Sequence, residues 1–164
     1  MKACPPIEER RDGILLSSDP ARIDLAAVHA FLRDSYWSRG IPIETVARSI
    51  ENSLCFGLYD TGAQVGFARL ITDRATYARL MDVYVLDSHR GRGLGKWLIG
   101  VALEHPDLRG LKMISLGTRD AQGLYARFGF EAVGDGGRAM ARRHPDPYGR
   151  KNARQASAAS TEKA

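Results

Sequence analysis

With 164 residues, 44% of them hydrophobic and 26% charged, the chain has the size and composition of one soluble globular domain. No apolar run approaches the ~20 residues that cross a bilayer, and the N-terminus lacks the apolar region of a secretory signal, so a membrane or secreted protein is not expected. The two cysteines, Cys4 and Cys55, match no metal spacing and no disulfide scaffold. We therefore expect no metal site and a cytoplasmic location.

The formal net charge of +5 is concentrated at the C-terminal end. Residues 142–164 hold six basic and two acidic side chains, so the rest of the chain is nearly neutral. This end is rich in small and polar residues, which predicts a single domain over 1–142 followed by a disordered basic tail over 143–164. A weak phosphate-binding arm is the alternative for the tail. The neutral body argues against a nucleic-acid-binding or interaction module, and no nucleic acid is expected as a partner.

The first half of the chain predicts three strands and two helices from its apolar periodicity. These elements are a strand at Ile14–Ser18, a helix from Leu25 behind a candidate N-cap at Asp24, a helix opened by Pro42, and strands over 53–60 and 63–73 joined by a turn at 61–62.

The second half alternates strands with helices. Residues 79–86 (RLMDVYVL) are nearly all apolar, which is expected of a central strand covered on both faces. Because consecutive strands also occur, we predict an α/β architecture with a central mixed sheet and helices on both faces. The remaining elements are a helix from Leu94 to about Pro106, a strand over 112–118, a short helix over 121–130 stopped by Gly129, and a last hairpin of 130–134 with 138–142.

Three glycines at alternate positions separate the central strand from the next helix. At a helix start several N–H groups lack an intrahelical partner, and the helix dipole is positive there. Glycine also removes the Cβ that would hold an anion away. The junction therefore predicts a phosphate or pyrophosphate site, to which Arg90, Arg92 and Lys96 add positive charge. A plain tight turn with a solvated basic rim is the alternative. The glycines are Gly91, Gly93 and Gly95, within DSHRGRGLGKWL (87–98).

Two common nucleotide motifs do not fit this segment. Lys96 stands in place of the third glycine of G-x-G-x-x-G, while Arg90 and Trp97 depart from the P-loop pattern. The pattern from Arg90 to Gly95 does fit [Q/R]-x-x-G-x-[G/A], and it resembles the acetyl-coenzyme A signature of the GNAT superfamily of N-acetyltransferases. VYVL before it and GLYARFGFE (123–131) after it resemble the neighbouring GNAT motifs. Residues 35–60 resemble a bacterial GNAT subgroup.

The resemblance implies a splayed central strand pair that holds acetyl-CoA. The pantetheine arm would bond to the main chain of this strand, and the pyrophosphate would rest on N–H groups from Arg92 to Lys96. Thr118 stands where many members have an Asn, so Arg119 or Asp120 is expected to take over its contact. The implied cofactor-binding residues are Val83, Tyr84, Val85, Arg90, Gly91, Arg92, Gly93, Leu94, Gly95, Lys96 and Arg119.

Two residues are candidates for catalysis. Tyr125 matches the general-acid tyrosine of the family, its alternative being a packing role. Asp82 is the sole carboxylate within an apolar run, and burial without partners costs several kcal/mol, so it is expected to be functional or hydrogen-bonded. It resembles the Asp of the LED run in diamine-type members, which makes it a candidate base. A structural Asp bonded to backbone is the alternative, and Met81 in place of the Glu weakens a polyamine substrate.

The family builds its acceptor pocket from the first two helices and their loop. Tyr36, Trp37 and Arg39 fall there, so they are the predicted substrate-binding residues, unless the aromatics merely cover the core. The implied function is transfer of the acetyl group of acetyl-CoA to a small-molecule primary amine by direct attack. A non-catalytic acyl-CoA sensor and a protein N-terminal or lysine acetyltransferase are the alternatives. Homodimer formation is left open.

Overall fold

A computed structural model describes residues 4–134 and Tyr148. Its centre is a six-stranded sheet in which each strand lies beside the next one along the chain. All neighbours are antiparallel except β5 and β6, which are parallel, so the predicted mixed sheet is confirmed. The strands are β1 (Glu8–Arg11), β2 (Ile14–Ser17), β3 (Leu54–Asp60), β4 (Ala63–Thr72), β5 (Tyr77–Val85) and β6 (Met113–Ser115).

Four α-helices connect these strands. The side chain of Asp24 caps α1 by accepting from the N–H of Ala27 at 3.0 Å, and Pro42 precedes the first turn of α2, as both local patterns predict. None of the helices in the described part of the chain is long and apolar enough to cross a membrane. The helices are α1 (Leu25–Leu32), α2 (Ile43–Glu51), α3 (Leu94–Leu103) and α4 (Gln122–Ala126), with single 3-10 turns at Pro20–Arg22, Asp87–His89 and Pro106–Leu108.

The two faces of the sheet carry separate apolar clusters. Leu98 and Ile99 of α3 are fully buried against one face. Val28 of α1 and Val46 of α2 are fully buried in the cluster on the other face. Helices on both faces are therefore confirmed, and each fully buried side chain of this size contributes roughly 1.5–3 kcal/mol relative to an exposed one.

Some elements differ from the expectations. The strand β1, sequence EERR, is exposed at all four positions and was not predicted, because an edge strand with charged side chains shows no apolar alternation. The predicted strand over 112–118 is shorter, at Met113–Ser115. No strand is assigned at 130–134, and its expected partner at 138–142 lies outside the described residues. The tail also lies outside them except for Tyr148, which packs against the cluster on the α1–α2 face.

The strands β5 and β6 part after a short contact. They pair only over Tyr77–Arg79 with Met113–Ser115, and β5 then continues to Val85 while the chain beyond Ser115 leaves the sheet. This geometry confirms the splayed strand pair that the resemblance implied. The candidate site lies in the gap between the parted strands.

Candidate active site

A cleft of about 1480 Å³ opens where β5 and β6 part. Its walls come from the loop between α1 and α2, from β4 and β5, from the segment after β6 and from α4. Arg39 is exposed and does not line the cleft, so the structure does not bring it to the other predicted acceptor residues. The predicted site residues that do line it are Tyr36, Trp37, Asp82, Val83, Tyr84, Arg90, Arg119 and Tyr125.

The main chain of β5 presents polar groups to this cleft. The N–H of Leu86 donates to the carbonyl of Val65 at 2.9 Å, and Tyr84 lies opposite Phe67. Because alternate residues of a strand direct their main-chain groups to opposite edges, those of Val83 and Val85 face away from β4. Arg90 Nε donates to the Val85 carbonyl at 3.1 Å. The main-chain groups of Val83 therefore face the gap, where a ligand can bond to them.

The glycine segment forms a cradle of N–H groups at the start of α3. None of the six N–H groups from Gly91 to Lys96 donates to an acceptor among the residues that the structure describes. Gly91 and Gly93 have φ of 78° and 74°, a left-handed conformation that favours glycine. A Cβ at either position would meet no atom within 4 Å, so space is open on that side. The predicted basic residues Arg92 and Lys96 are exposed beside it, and the arrangement suits an anion.

Asp82 lies at a bulge of β5, where the register with β4 shifts. Its φ is 53°, which is uncommon for a residue with a side chain, and that side chain is only 4% exposed. One oxygen accepts from Arg69 Nε at 2.6 Å, and the other accepts from Trp37 Nε1 at 3.1 Å. Both carboxylate oxygens therefore accept hydrogen bonds from side chains. The alternative of a structural Asp had predicted bonds from the backbone. The role of Asp82 as a base stays a prediction.

Arg69 is a cleft residue that sequence analysis missed. Besides Asp82 it contacts the hydroxyl of Ser53 at 3.1 Å, just after α2. An arginine within the apolar run of β4 carries the same signal as Asp82 within β5, since each buried charge needs a partner. Opposite charges on neighbouring predicted strands could have indicated the pair.

Aromatic side chains form the wall of the cleft on the α1 side. Phe31 stacks on Tyr84 with ring centroids 3.7 Å apart, and Tyr36 meets Trp37 edge to face at 4.9 Å. Tyr36 and Trp37 are 48% and 40% exposed, so they do more than cover the core. The guanidinium of Arg119 lies 3.9 Å from the centre of the Tyr36 ring. This predicted cofactor-binding residue therefore contacts the acceptor wall.

Tyr125 projects into the cleft from α4. The hydroxyl of Thr118 accepts from the N–H of Ala121 at 3.0 Å and shapes the turn that leads into this helix. Burial, with a smaller contribution from Tyr36, raises the pKa of the Tyr125 phenol above its ordinary value. A raised pKa keeps the phenol protonated at neutral pH, as a proton donor must be.

Comparisons with known proteins identify the family to which this fold belongs. The family model described as "Acetyltransferase (GNAT) domain" matches residues 51–132. A candidate acetyltransferase of Gibberella zeae is 32% identical in an alignment 140 positions long, gaps counted, that covers 71% of this chain and 78% of that protein.

Solved structures give the same assignment. One from Xanthomonas campestris pv. campestris, described as a candidate acetyltransferase belonging to the GNAT family, is 46% identical with a TM-score of 0.79 and covers 82% of this chain and 96% of that one. A Clostridium acetobutylicum protein determined with acetyl-CoA shares the fold at 12% identity and a TM-score of 0.60, covering 79% and 94%. Because the family model spans half of this chain and the Gibberella zeae relative covers more than two thirds of it, the chain belongs to the GNAT acetyltransferase family.

Proposed function

We propose that this protein transfers the acetyl group of acetyl-CoA to the primary amine of a small molecule. The observation that carries the proposal is a set of open groups that suits the donor. It comprises the six N–H groups of Gly91–Lys96, which follow β5, and the cleft between the parted strands, which is lined by Val83 and Tyr125. The acetyl-CoA complex of the Clostridium acetobutylicum relative supports it.

The residues present fit acetyl-CoA. The cradle from Gly91 to Lys96 suits a pyrophosphate, and the main chain of Val83 suits an amide of the pantetheine arm. Arg90 contacts the Val85 carbonyl and the Asp87 carboxylate. These contacts orient its charge between the strand β5 and the glycine cradle. Bound acetyl-CoA supplies an activated acetyl group as a thioester.

The cradle predicts that Gly93→Asp weakens coenzyme A binding by at least ~10-fold. The new carboxylate adds bulk and a like charge, and two like charges about 4 Å apart cost roughly 1–4 kcal/mol at a protein surface. The dissociation constant is measured by calorimetry.

Gly110→Asp is the matched control. Gly110 has a φ of 77° and open space around it, so the substitution adds the same backbone strain and charge outside the cleft. Unchanged affinity in folded Gly93→Asp protein, or an equal loss in Gly110→Asp, would contradict the assignment of the loop.

Tyr125 is proposed as the general acid. It holds a proton on its phenol oxygen within the cleft, since a phenol of ordinary pKa, ~10, is protonated at neutral pH and burial raises the pKa of Tyr125 further. We assign it the protonation of the departing thiolate. The acceptor amine must lose a proton before it attacks, and both oxygens of Asp82 are already engaged. We assign this proton to water in the open cleft.

For Tyr125→Phe we expect kcat to fall by at least ~10-fold, because a positioned acid contributes about 10²–10⁴-fold and water replaces it in part. The KM for acetyl-CoA should change little, since the proton is needed mainly as the thioester breaks. Steady-state thiol release measures both constants.

Tyr59→Phe serves as the control, because that hydroxyl is buried without a partner among the described residues and lies outside the cleft. If Tyr125→Phe keeps the wild-type kcat while the chemical step limits turnover, Tyr125 is a packing residue and not the general acid.

We propose that Asp82 positions Trp37 rather than taking the proton. Asp82→Asn should then raise the KM for the acceptor while kcat/KM still rises with pH toward the pKa of the amine, ~10 for a lysine-like group. Since removing one partner of a buried ion pair costs about 3–5 kcal/mol, melting temperature is measured alongside.

Trp37→Phe removes the indole N–H and leaves the ion pair intact, so it should reproduce the rise in KM. If Asp82 were the base, the kinetic constants would change differently. Asp82→Asn would lower kcat by ~10²-fold or more and abolish the pH dependence of turnover, whereas Trp37→Phe would leave kcat unchanged.

A further inference from the structure

We infer that the accepted amine also carries an anionic group, a carboxylate or a phosphate, which Arg79 and Arg119 bind. The inference rests on the proposed acetyl transfer and adds the chemical class of the acceptor. Its starting point is the balance of charge in the cleft. The charged side chains that line it are Arg69, Arg79, Arg90, Arg119, Asp82 and Asp120.

Two of the four arginines are already accounted for. Arg90 lies beside the glycine cradle and contacts the Val85 carbonyl and Asp87, at 3.1 and 2.8 Å. Arg69 forms a buried ion pair with Asp82 at 2.6 Å, so the charges of these two groups offset each other. The two arginines that remain in the lining are Arg79 and Arg119, of which Arg119 contacts Tyr36 of the predicted acceptor wall.

Arg79 has no carboxylate within 4 Å among the described residues, its recorded partner being the hydroxyl of Ser115 at 3.4 Å. A Cβ on Gly117 would lie 3.2 Å from its Nη2, so the absence of a side chain there leaves room for the guanidinium along the cleft wall. Arginine presents several N–H donors in a planar fork that matches a carboxylate or a phosphate. The guanidinium of Arg79 is therefore available to an anion.

Arg119 is held with its donors accessible. Its guanidinium lies over the Tyr36 ring, which fixes the plane through a face contact and leaves the N–H groups at the edge. Asp120 approaches it only to 3.6 Å, and both side chains are about two-thirds exposed. Such exposed ion pairs contribute little to stability and do not hold the arginine away from a ligand.

The same set of charged side chains in the cleft disfavours an acceptor that carries a second positive charge. An ammonium group is best bound by a carboxylate whose charge is not already offset, and the carboxylate of Asp82 is buried in an ion pair with Arg69 at 2.6 Å. Asp120, the other carboxylate in the described lining, sits beside Arg119. A diamine would therefore place its second ammonium near arginines, whereas an amino acid or amino phosphate would place an anion there.

The test compares matched acceptors that differ in the anionic group. The pairs are 4-aminobutyrate with its amide, phenylalanine with its amide, and phosphoethanolamine with ethanolamine, and putrescine serves as the diamine. Thiol release and product mass are measured, and kcat/KM is expressed per unprotonated amine. We expect the anionic member of at least one pair to exceed its neutral partner by ~10-fold or more, with putrescine below both. Which pair responds distinguishes carboxylate from phosphate.

Variants of the two arginines test whether these side chains cause the preference for an anionic acceptor. Arg79→Gln and Arg119→Gln should each reduce the anionic-to-neutral ratio by at least ~5-fold, because a charged hydrogen bond is lost for one member of the pair only. Donor binding cancels from the ratio, since both members use the same donor. Arg48→Gln, an exposed arginine of α2 outside the cleft lining, is the control and should keep the wild-type ratio.

Equal turnover of the anionic and neutral members, a preference for putrescine, or an unchanged ratio in both arginine variants would overturn the inference while acetyl transfer stands. Thiol release with none of the amines, from protein that binds acetyl-CoA in calorimetry, would overturn the proposed function and the inference with it.

Discussion

The open edge of β5 is the constraint on which the site depends. Beyond Arg79 this strand has β4 on one side and no strand partner on the other within the described residues. A sheet interior does not leave main-chain donors and acceptors unsatisfied without cost, so an edge that stays open in the middle of a fold calls for a ligand with amide groups. The same parting of strands brings Tyr125 opposite the edge, and the helix that follows β5 begins with the open N–H groups of Gly91–Lys96.

The bulge at Asp82 connects this edge to the acceptor wall. The carboxylate joins Arg69 of β4 to Trp37 of the loop after α1, and Tyr36 beside Trp37 contacts Arg119 from the segment after β6. A continuous set of contacts therefore runs across the cleft from one side to the other. A left-handed residue with a buried side chain costs free energy, and its two strong hydrogen bonds offset that cost. In the proposed mechanism the network holds the acceptor wall at a set distance from the donor strand.

Local sequence patterns predicted most of the helices and strands, because the features that begin and end these elements are set by neighbouring residues. The cap at Asp24, the helix start after Pro42 and the helix start after the glycine segment each depend on a few neighbouring residues, and all three are confirmed. The anion site at the glycines stays a prediction. The strand β1 was missed, since its identity depends on pairing with β2 and not on its own polar sequence. Of the two partners of Asp82, Arg69 could have been found from its place on the neighbouring predicted strand, whereas Trp37 is 45 residues away and no local pattern connects it to Asp82. Arg39 was expected in the site because it lies in the loop between the first two helices, but position in a loop does not fix the direction of a side chain.

Membership of the GNAT family places the chain among the acetyltransferases, and the charged side chains of the cleft support the proposed anionic class of acceptor. The most direct test of the central proposal is a crystal structure of the full chain with coenzyme A. We expect an amide of the pantetheine arm within hydrogen-bond distance of the Val83 main chain, and the pyrophosphate on the N–H groups of Gly91–Lys96. Coenzyme A bound away from these groups, with the edge of β5 left to water, would contradict the account.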